Sequence, residues 1–294
     1  MAFSKPVTEI IAERFSCRTY LNEPIAEQTR QQLADFVAVN QIGPFGSPTR
    51  FELVAATGAD QAALRGLGTY GFIRNPAGFV IGAMGESDQN LEDFGYAMER
   101  VVLCATDLGL GTCWLGGSFT RSRFSRRISA TSSESVPAVT SVGCVLDHQR
   151  ARDGGMRRRI GAIRRYPWEH MFFEGAFDSP ISQQAAGAYA VPLEMVRLGP
   201  SASNKQPWRI VRDGNSWHFY VQRTPGYRDR WVMKLLRIAD MQRIDVGIAM
   251  SHFELTANEL GLMGRWEVGQ PRIEKPDEWT EYAVSWVSSE ERSG

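Results

Sequence analysis

The chain has 294 residues, enough for one large domain or two of ordinary size, and 43% of them are apolar, enough for a sizeable buried core. Lysine plus arginine equals aspartate plus glutamate at 33 each, which argues against a broad nucleic-acid footprint. The N-terminus lacks an apolar stretch of signal length and no apolar run approaches the ~20 residues that span a bilayer, so a soluble, cytoplasmic protein with no membrane partner is expected.

In chain order, RFSCRTY comes first. Arg14, Ser16 and Arg18 stand at i, i+2 and i+4, so in an extended segment their side chains share one face. Two guanidiniums and a hydroxyl suit a phosphate, although a solvated basic segment has the same composition. After Pro24 the spacing predicts a helix over about 26–40, with Leu33, Phe36 and Val37 on one side. Strands are predicted at 51–56 and 78–83. The long run 93–109 carries apolar residues at helical spacing, and Gly109 can end it. GLGTCWLGG follows. Gly109 and Gly111 suit a chain reversal, and Gly116 and Gly117 would let the backbone approach a planar ligand. A strand near 138–146 closes this half, and a basic stretch with Arg157, Arg158, Arg159, Arg164 and Arg165 comes after it.

The chain then repeats itself. Residues 93–117 and 245–269 align without a gap at 11 of 25 positions, including Asp93/Asp245, Gly95/Gly247 and Trp114/Trp266. Pro24-Ile25 pairs with Pro180-Ile181 and Gly43-Pro44 with Gly199-Pro200, in the same order. Two copies of one domain are expected, 1–165 and 166–294. In the second copy GPSASNKQPW is a polar turn feeding a strand, WRIVRD and SWHFYVQ form a hairpin about Gly214-Asn215, and a helix runs over 245–260. Helices and strands mix without strict alternation, which predicts an α+β layered fold. Cys17, Cys104, Cys113 and Cys144 form no C-x-x-C pair and read as reduced thiols. His148, His170, His218 and His252 match no metal spacing.

Three elements together resemble the nitroreductase family of FMN-dependent oxidoreductases: R-x-S-x-R at Arg14, Ser16 and Arg18; LGLGTCW at 108–114; and P-S-x-x-N-x-Q-P-W at Pro200, Ser201, Asn204, Gln206, Pro207 and Trp208. The resemblance covers nearly the whole chain. It implies an α/β/α fold, here as two tandem copies forming an intrachain pseudo-dimer, as in the branch of the family with tandem halves. It also implies FMN as cofactor, NADH or NADPH as electron donor, and a small-molecule acceptor such as a quinone or nitroaromatic, reduced in ping-pong fashion with no metal and no protein nucleophile. The alternatives are a flavin-binding or flavin-storage protein without turnover, and a relative that binds no flavin.

The implied flavin contacts are Arg14, Phe15, Ser16 and Arg18, the turn Leu115, Gly116 and Gly117, one of Arg164 and Arg165 at the phosphate, and the loop Pro200, Ser201, Ala202, Ser203 and Asn204. At an offset of 156, Arg14, Ser16 and Arg18 align with His170, Phe172 and Glu174, and the PSASN loop with Gly43–Pro48. One of two pseudo-symmetric sites is therefore expected to survive, giving one FMN per chain and a monomer or weak homodimer. The aromatics Phe45, Tyr70, Phe72 and Phe119 fit either a pocket lining or a core.

Overall fold

The computed structural model describes residues 3–57, 61–145, 164–225 and 239–289. His148 and the arginines at 157–159 lie outside them. The chain divides into two compact units, Met1–Ala162 and Ile163–Gly294.

The first unit contains α1 (Val7–Glu13), α2 (Glu27–Val39), β1 (Thr49–Ala55), β2 (Gly78–Met84), α3 (Asn90–Asp107), β3 (Gly111–Leu115), α4 (Arg121–Arg127) and β4 (Val139–Gly143). Its four strands pair antiparallel in the order β1-β2-β4-β3. Every residue of β2 is buried, as a central strand covered on both faces requires. Gly82 within it is a packing necessity. A Cβ there would lie 2.4 Å from the Phe94 ring of α3 and 2.6 Å from the Phe51 ring of β1.

The second unit contains β5 (Phe172–Glu174), α5 (Gln183–Ala186), α6 (Ala190–Leu198), β6 (Trp208–Asp213), β7 (Ser216–Gln222), α7 (Met241–Glu259), β8 (Gly264–Glu267) and β9 (Thr280–Ser288). Its sheet order is β5-β6-β7-β9-β8, with β5 parallel to β6 and the other pairs antiparallel. Without β5 this is the order of the first sheet. The long helix falls between the second and third strands of the four in both units, so the sequence repeat is a repeat of topology. The fold is the nitroreductase-like mixture of helices and sheets expected from the motifs.

Three departures from the sequence reading have local causes. The single helix α2 is matched by a broken one, because Gly187 takes a left-handed φ of 58° and separates α5 from α6. Residues 111–115 are a strand and not part of a reversal; only Gly109, at φ 78°, turns the chain. Finally, His170, Phe172 and Glu174 are not counterparts of Arg14, Ser16 and Arg18. Ser16 bridges Thr112, beyond β3 at one end of the first sheet, whereas β5 lies against β6, at the opposite end of the second. An ungapped alignment carries no information about which sheet edge a short segment joins. The lone Glu174 therefore says nothing about a lost phosphate site; it lies 3.8 Å from Arg212.

All four cysteines are free thiols, and three are buried. Phe119 belongs to the first unit's core, while Tyr70 and Phe72 are exposed. Among the described residues, no helix is long and apolar enough to cross a membrane.

Candidate functional site

In the first unit the candidate residues are set by a strand-like segment that leaves α1 at Arg14, where φ −54° and ψ 131° end the helix. The Cys17 amide donates to the Thr112 carbonyl at 2.7 Å, which pins the segment beside β3, and the Tyr20 amide donates to the Arg74 carbonyl, before β2, at 3.1 Å. Alternation then sorts the side chains. Phe15 and Cys17 enter the core with Ile81, Cys113 and Leu115. Arg14, Ser16 and Arg18 alternate with them and are not part of that core cluster. Ser16 and Arg18 are partly exposed, and Arg18 donates to the Ser16 carbonyl at 3.4 Å.

Arg14 is nearly buried and lies 3.9 Å from Glu99, whose side chain on α3 is fully buried. The Trp114 indole of β3 donates to the other Glu99 oxygen at 2.7 Å. Sequence reasoning missed Glu99. The available signal was an acid, with Arg100 beside it, set among the apolar residues Ala97, Met98, Val101, Val102 and Leu103 of the helix.

The segment can lie so close to β3 because residue 111 is glycine. A Cβ on Gly111 would stand 2.9 Å from the Cys17 Cβ and 2.7 Å from a Val145 methyl. At the far end of β3, Leu115 is buried and paired with Val139, Gly116 is half-buried and Gly117 exposed. The turn is held by Arg121, a second residue that sequence reasoning missed. Arg121 donates to the Gly116 carbonyl at 3.2 Å and to the Val136 carbonyl at 2.6 Å, and lies over the Phe119 ring. Burial lowers its pKa from the usual arginine value.

In the second unit the loop Pro200–Asn204 ends in a short 3₁₀ turn, with Ser203, Asn204 and Gln206 all at positive φ, between 46° and 55°. Such backbone needs local ties, and the polar side chains supply them. The Ser201 hydroxyl accepts from the Gln206 amide at 2.8 Å. The Asn204 side chain donates to the Arg164 carbonyl at 2.9 Å and accepts from Arg165 at 3.1 Å. Gln206 accepts from the Tyr166 amide at 2.9 Å, and Arg165 also donates to the Leu198 carbonyl at 3.0 Å. The structure thus brings Arg164 and Arg165 to the loop. It also shows what distinguishes them: the Arg165 guanidinium is engaged by the loop, and the Arg164 side chain is exposed while its backbone is held.

The same device holds the corresponding loop in each unit. Asp93 of α3, fully buried, accepts from the Phe45 and Ser47 amides at 3.1 and 2.8 Å. Asp245 of α7, at the repeat-equivalent position, accepts from the Ala202 amide at 3.0 Å. The role of this pair, visible in the repeat only as an identity, is to fix the loop after Gly-Pro.

No curated protein matches the chain in sequence. Among solved structures, a "putative nitroreductase" from Thermotoga maritima is 18% identical, with a TM-score of 0.58 over 98% of this chain and 95% of its own. A "putative nitroreductase in complex with FMN" from Desulfovibrio desulfuricans is 19% identical, with a TM-score of 0.40 over 49% of this chain and 89% of its own. A "nitroreductase with bound FMN" from Desulfitobacterium hafniense is 17% identical, with a TM-score of 0.38 over 49% of this chain and 92% of its own. Residues 6–257 match the protein family described as "Putative TM nitroreductase", and the chain belongs to that family.

Proposed function

We propose that the protein is an FMN-dependent NAD(P)H oxidoreductase that binds one FMN per chain and reduces a small acceptor such as a quinone or nitroaromatic. The observation that carries this reading is the Arg14–Arg18 segment, in which Arg14, Ser16 and Arg18 alternate with the core residues Phe15 and Cys17 and which is held beside β3 by the Cys17–Thr112 hydrogen bond. Its donor chemistry fits an anion: two guanidiniums and a hydroxyl can meet a phosphate or the electron-rich edge of a flavin ring. The motif resemblance to FMN-dependent nitroreductases suggests the cofactor, and membership of a nitroreductase family is consistent with it.

In this reading Arg14, Ser16 and Arg18, with Phe15 as their packing anchor, hold the phosphate or pyrimidine edge. The Leu115–Gly117 turn offers backbone amides, and Gly116 and Gly117 keep side chains out of the way. In the second unit the Pro200–Asn204 loop carries further donors on Ser201 and Ser203, while the Ala202 amide ties the loop to Asp245. Asn204 works chiefly by holding the loop to Arg164 and Arg165, and Arg164, with its side chain exposed, adds the phosphate contact. FMN, when bound by these residues, would supply the hydride chemistry between a nicotinamide donor and the acceptor.

One FMN per chain is expected for a topological reason. The first unit has the Arg14–Arg18 segment bridged to the outer edge of β3, and among the described residues nothing bridges the corresponding edge of β8. One chain would then suffice, and a monomer or weak dimer is expected.

The test is the flavin-to-protein ratio after reconstitution, followed by NADH and NADPH oxidation with menadione and a nitroaromatic. A ratio near one with turnover is expected. Arg18→Glu should lose most of the flavin with the fold retained. A ratio near two refutes the single site, and undiminished flavin in Arg18→Glu refutes the assignment of this face. Flavin without turnover would leave a storage or sensing protein.

A further inference from the structure

Each long helix presents a carboxylate to the tryptophan of the strand that follows it, but not from the same place. In the second unit the Trp266 indole donates to Glu254 at 2.7 Å. In the first, Trp114 donates to Glu99. At the repeat offset of 152, Glu99 corresponds to Ser251 and Glu254 to Val102, so the two carboxylates stand three positions apart on equivalent helices. About one helical turn of displacement takes the first unit's carboxylate inward. Glu99 is fully buried and 3.9 Å from Arg14, whereas Glu254 is only half-buried. A bond to tryptophan alone does not require the inward position, since Glu254 makes the same bond without it.

We propose that Glu99 is the resident counter-ion of Arg14, a positioning residue that keeps this arginine charged and buried in the flavin-free protein and so sets the anion affinity of the site. The inference rests on the flavin reading above. A buried guanidinium without a partner is strongly disfavoured, and a carboxylate close by offsets the loss of water. At 3.9 Å between Arg14 Nε and Glu99 Oε1 the contact is electrostatic rather than a close hydrogen bond. Trp114 keeps the carboxylate in place by holding its other oxygen. An incoming anion and Glu99 therefore compete to neutralise the same cation. Removing the Glu99 charge should make the empty protein less stable and the anion bind more tightly. A carboxylate with only a structural role would give the opposite ligand effect, because a loosened site binds worse.

Glu99→Gln removes the charge and keeps an oxygen for Trp114 to donate to. FMN and riboflavin dissociation constants and the thermal midpoint of the flavin-free protein are measured for the wild type, Glu99→Gln, Arg14→Ala and the double variant, with Glu254→Gln as the control. The expected results are a lower midpoint for flavin-free Glu99→Gln, FMN binding tighter by about tenfold, and no tightening in the Arg14→Ala background. Arg14→Ala alone, which takes the cation away from the buried Glu99 carboxylate, should melt below the double variant. Glu254→Gln should bind FMN as the wild type does. Whether riboflavin tightens too identifies the ring edge as the anionic partner; tightening confined to FMN identifies the phosphate, and either outcome supports the counter-ion. FMN binding by Glu99→Gln that is unchanged or weaker overturns the proposal, as does equal tightening without Arg14. A wild type that takes no flavin overturns the functional reading instead, and the midpoints of Arg14→Ala and the double variant then decide the counter-ion pairing by themselves.

Discussion

Gly111→Ala tests whether the close approach at β3 positions the candidate site. The added methyl would meet the Cys17 Cβ at 2.9 Å, the Cys17 sulfur at 3.2 Å and a Val145 methyl at 2.7 Å. Val145 can turn its side chain away. The Cys17 Cβ cannot move without its backbone, and that backbone is tied to Thr112 by a 2.7 Å hydrogen bond. Overpacking of this kind costs ~1–3 kcal/mol. The strain is relieved by displacing the segment that carries Arg14, Ser16 and Arg18, so FMN affinity should fall by tenfold or more, about 1.4 kcal/mol per decade. Gly109→Ala is the matched control. Gly109 sits at φ 78° with nothing within 4 Å of a Cβ, so alanine there costs about 1 kcal/mol of backbone strain and moves no neighbour. Urea unfolding gives the stability of each variant, and fluorescence titration with FMN gives its affinity. Both variants should be destabilised and only Gly111→Ala should lose affinity. Full FMN affinity in a folded Gly111→Ala protein, or equal affinity losses in the two, would refute the link between this contact and the site.

Asn204→Ala removes the ties to Arg164 and Arg165 and strains a residue at φ 55°, whereas Asn204→Gly removes the ties and tolerates the backbone. Both should weaken FMN binding by roughly 1–2 kcal/mol, while Pro48→Ala in the other copy leaves it alone; a loss in alanine but not glycine would mean that only backbone strain matters. The paired hydrogen bonds from Arg50, with help from the Thr131 amide, hold the Glu134 carboxyl down from 4.5 to about 2. Its folded pKa is depressed, so its stabilisation is present above pH 4.5 and is lost as pH falls towards 2. Arg50 is substantially exposed, so Glu134→Gln should cost under about 1 kcal/mol at pH 7 and flatten the acid limb of a stability–pH curve; an unchanged limb would contradict this. Cys144, the half-exposed thiol, should react first with a thiol reagent, ahead of Cys104, whose pKa burial and Asp107 raise to about 12. Faster modification of Cys104 in the native protein would show that the helix opens there.

The repeat, the long helices, the hairpin at Gly214 and the alternation that buries Phe15 and Cys17 were legible in the sequence because each depends on local periodicity or on identity between copies. Alternation in an extended segment needs no tertiary information to place Phe15 and Cys17 opposite the arginines. What the sequence could not supply was which edge a short segment joins. Residues 14–18 and 170–174 look like counterparts by spacing, yet Ser16 and β5 sit at opposite ends of their sheets, because strand pairing is decided by long-range hydrogen bonds that leave no mark on a five-residue pattern. The same is true of Gly111, which looks like a turn residue and is a strand residue that admits Cys17. Glu99 and Asp93 are ordinary acids on a helix until folding buries them. Only the tertiary structure takes both out of water and aims one at Arg14 and the other at a loop of backbone amides, since burial of a charge is tolerated only where folding delivers its partners to it.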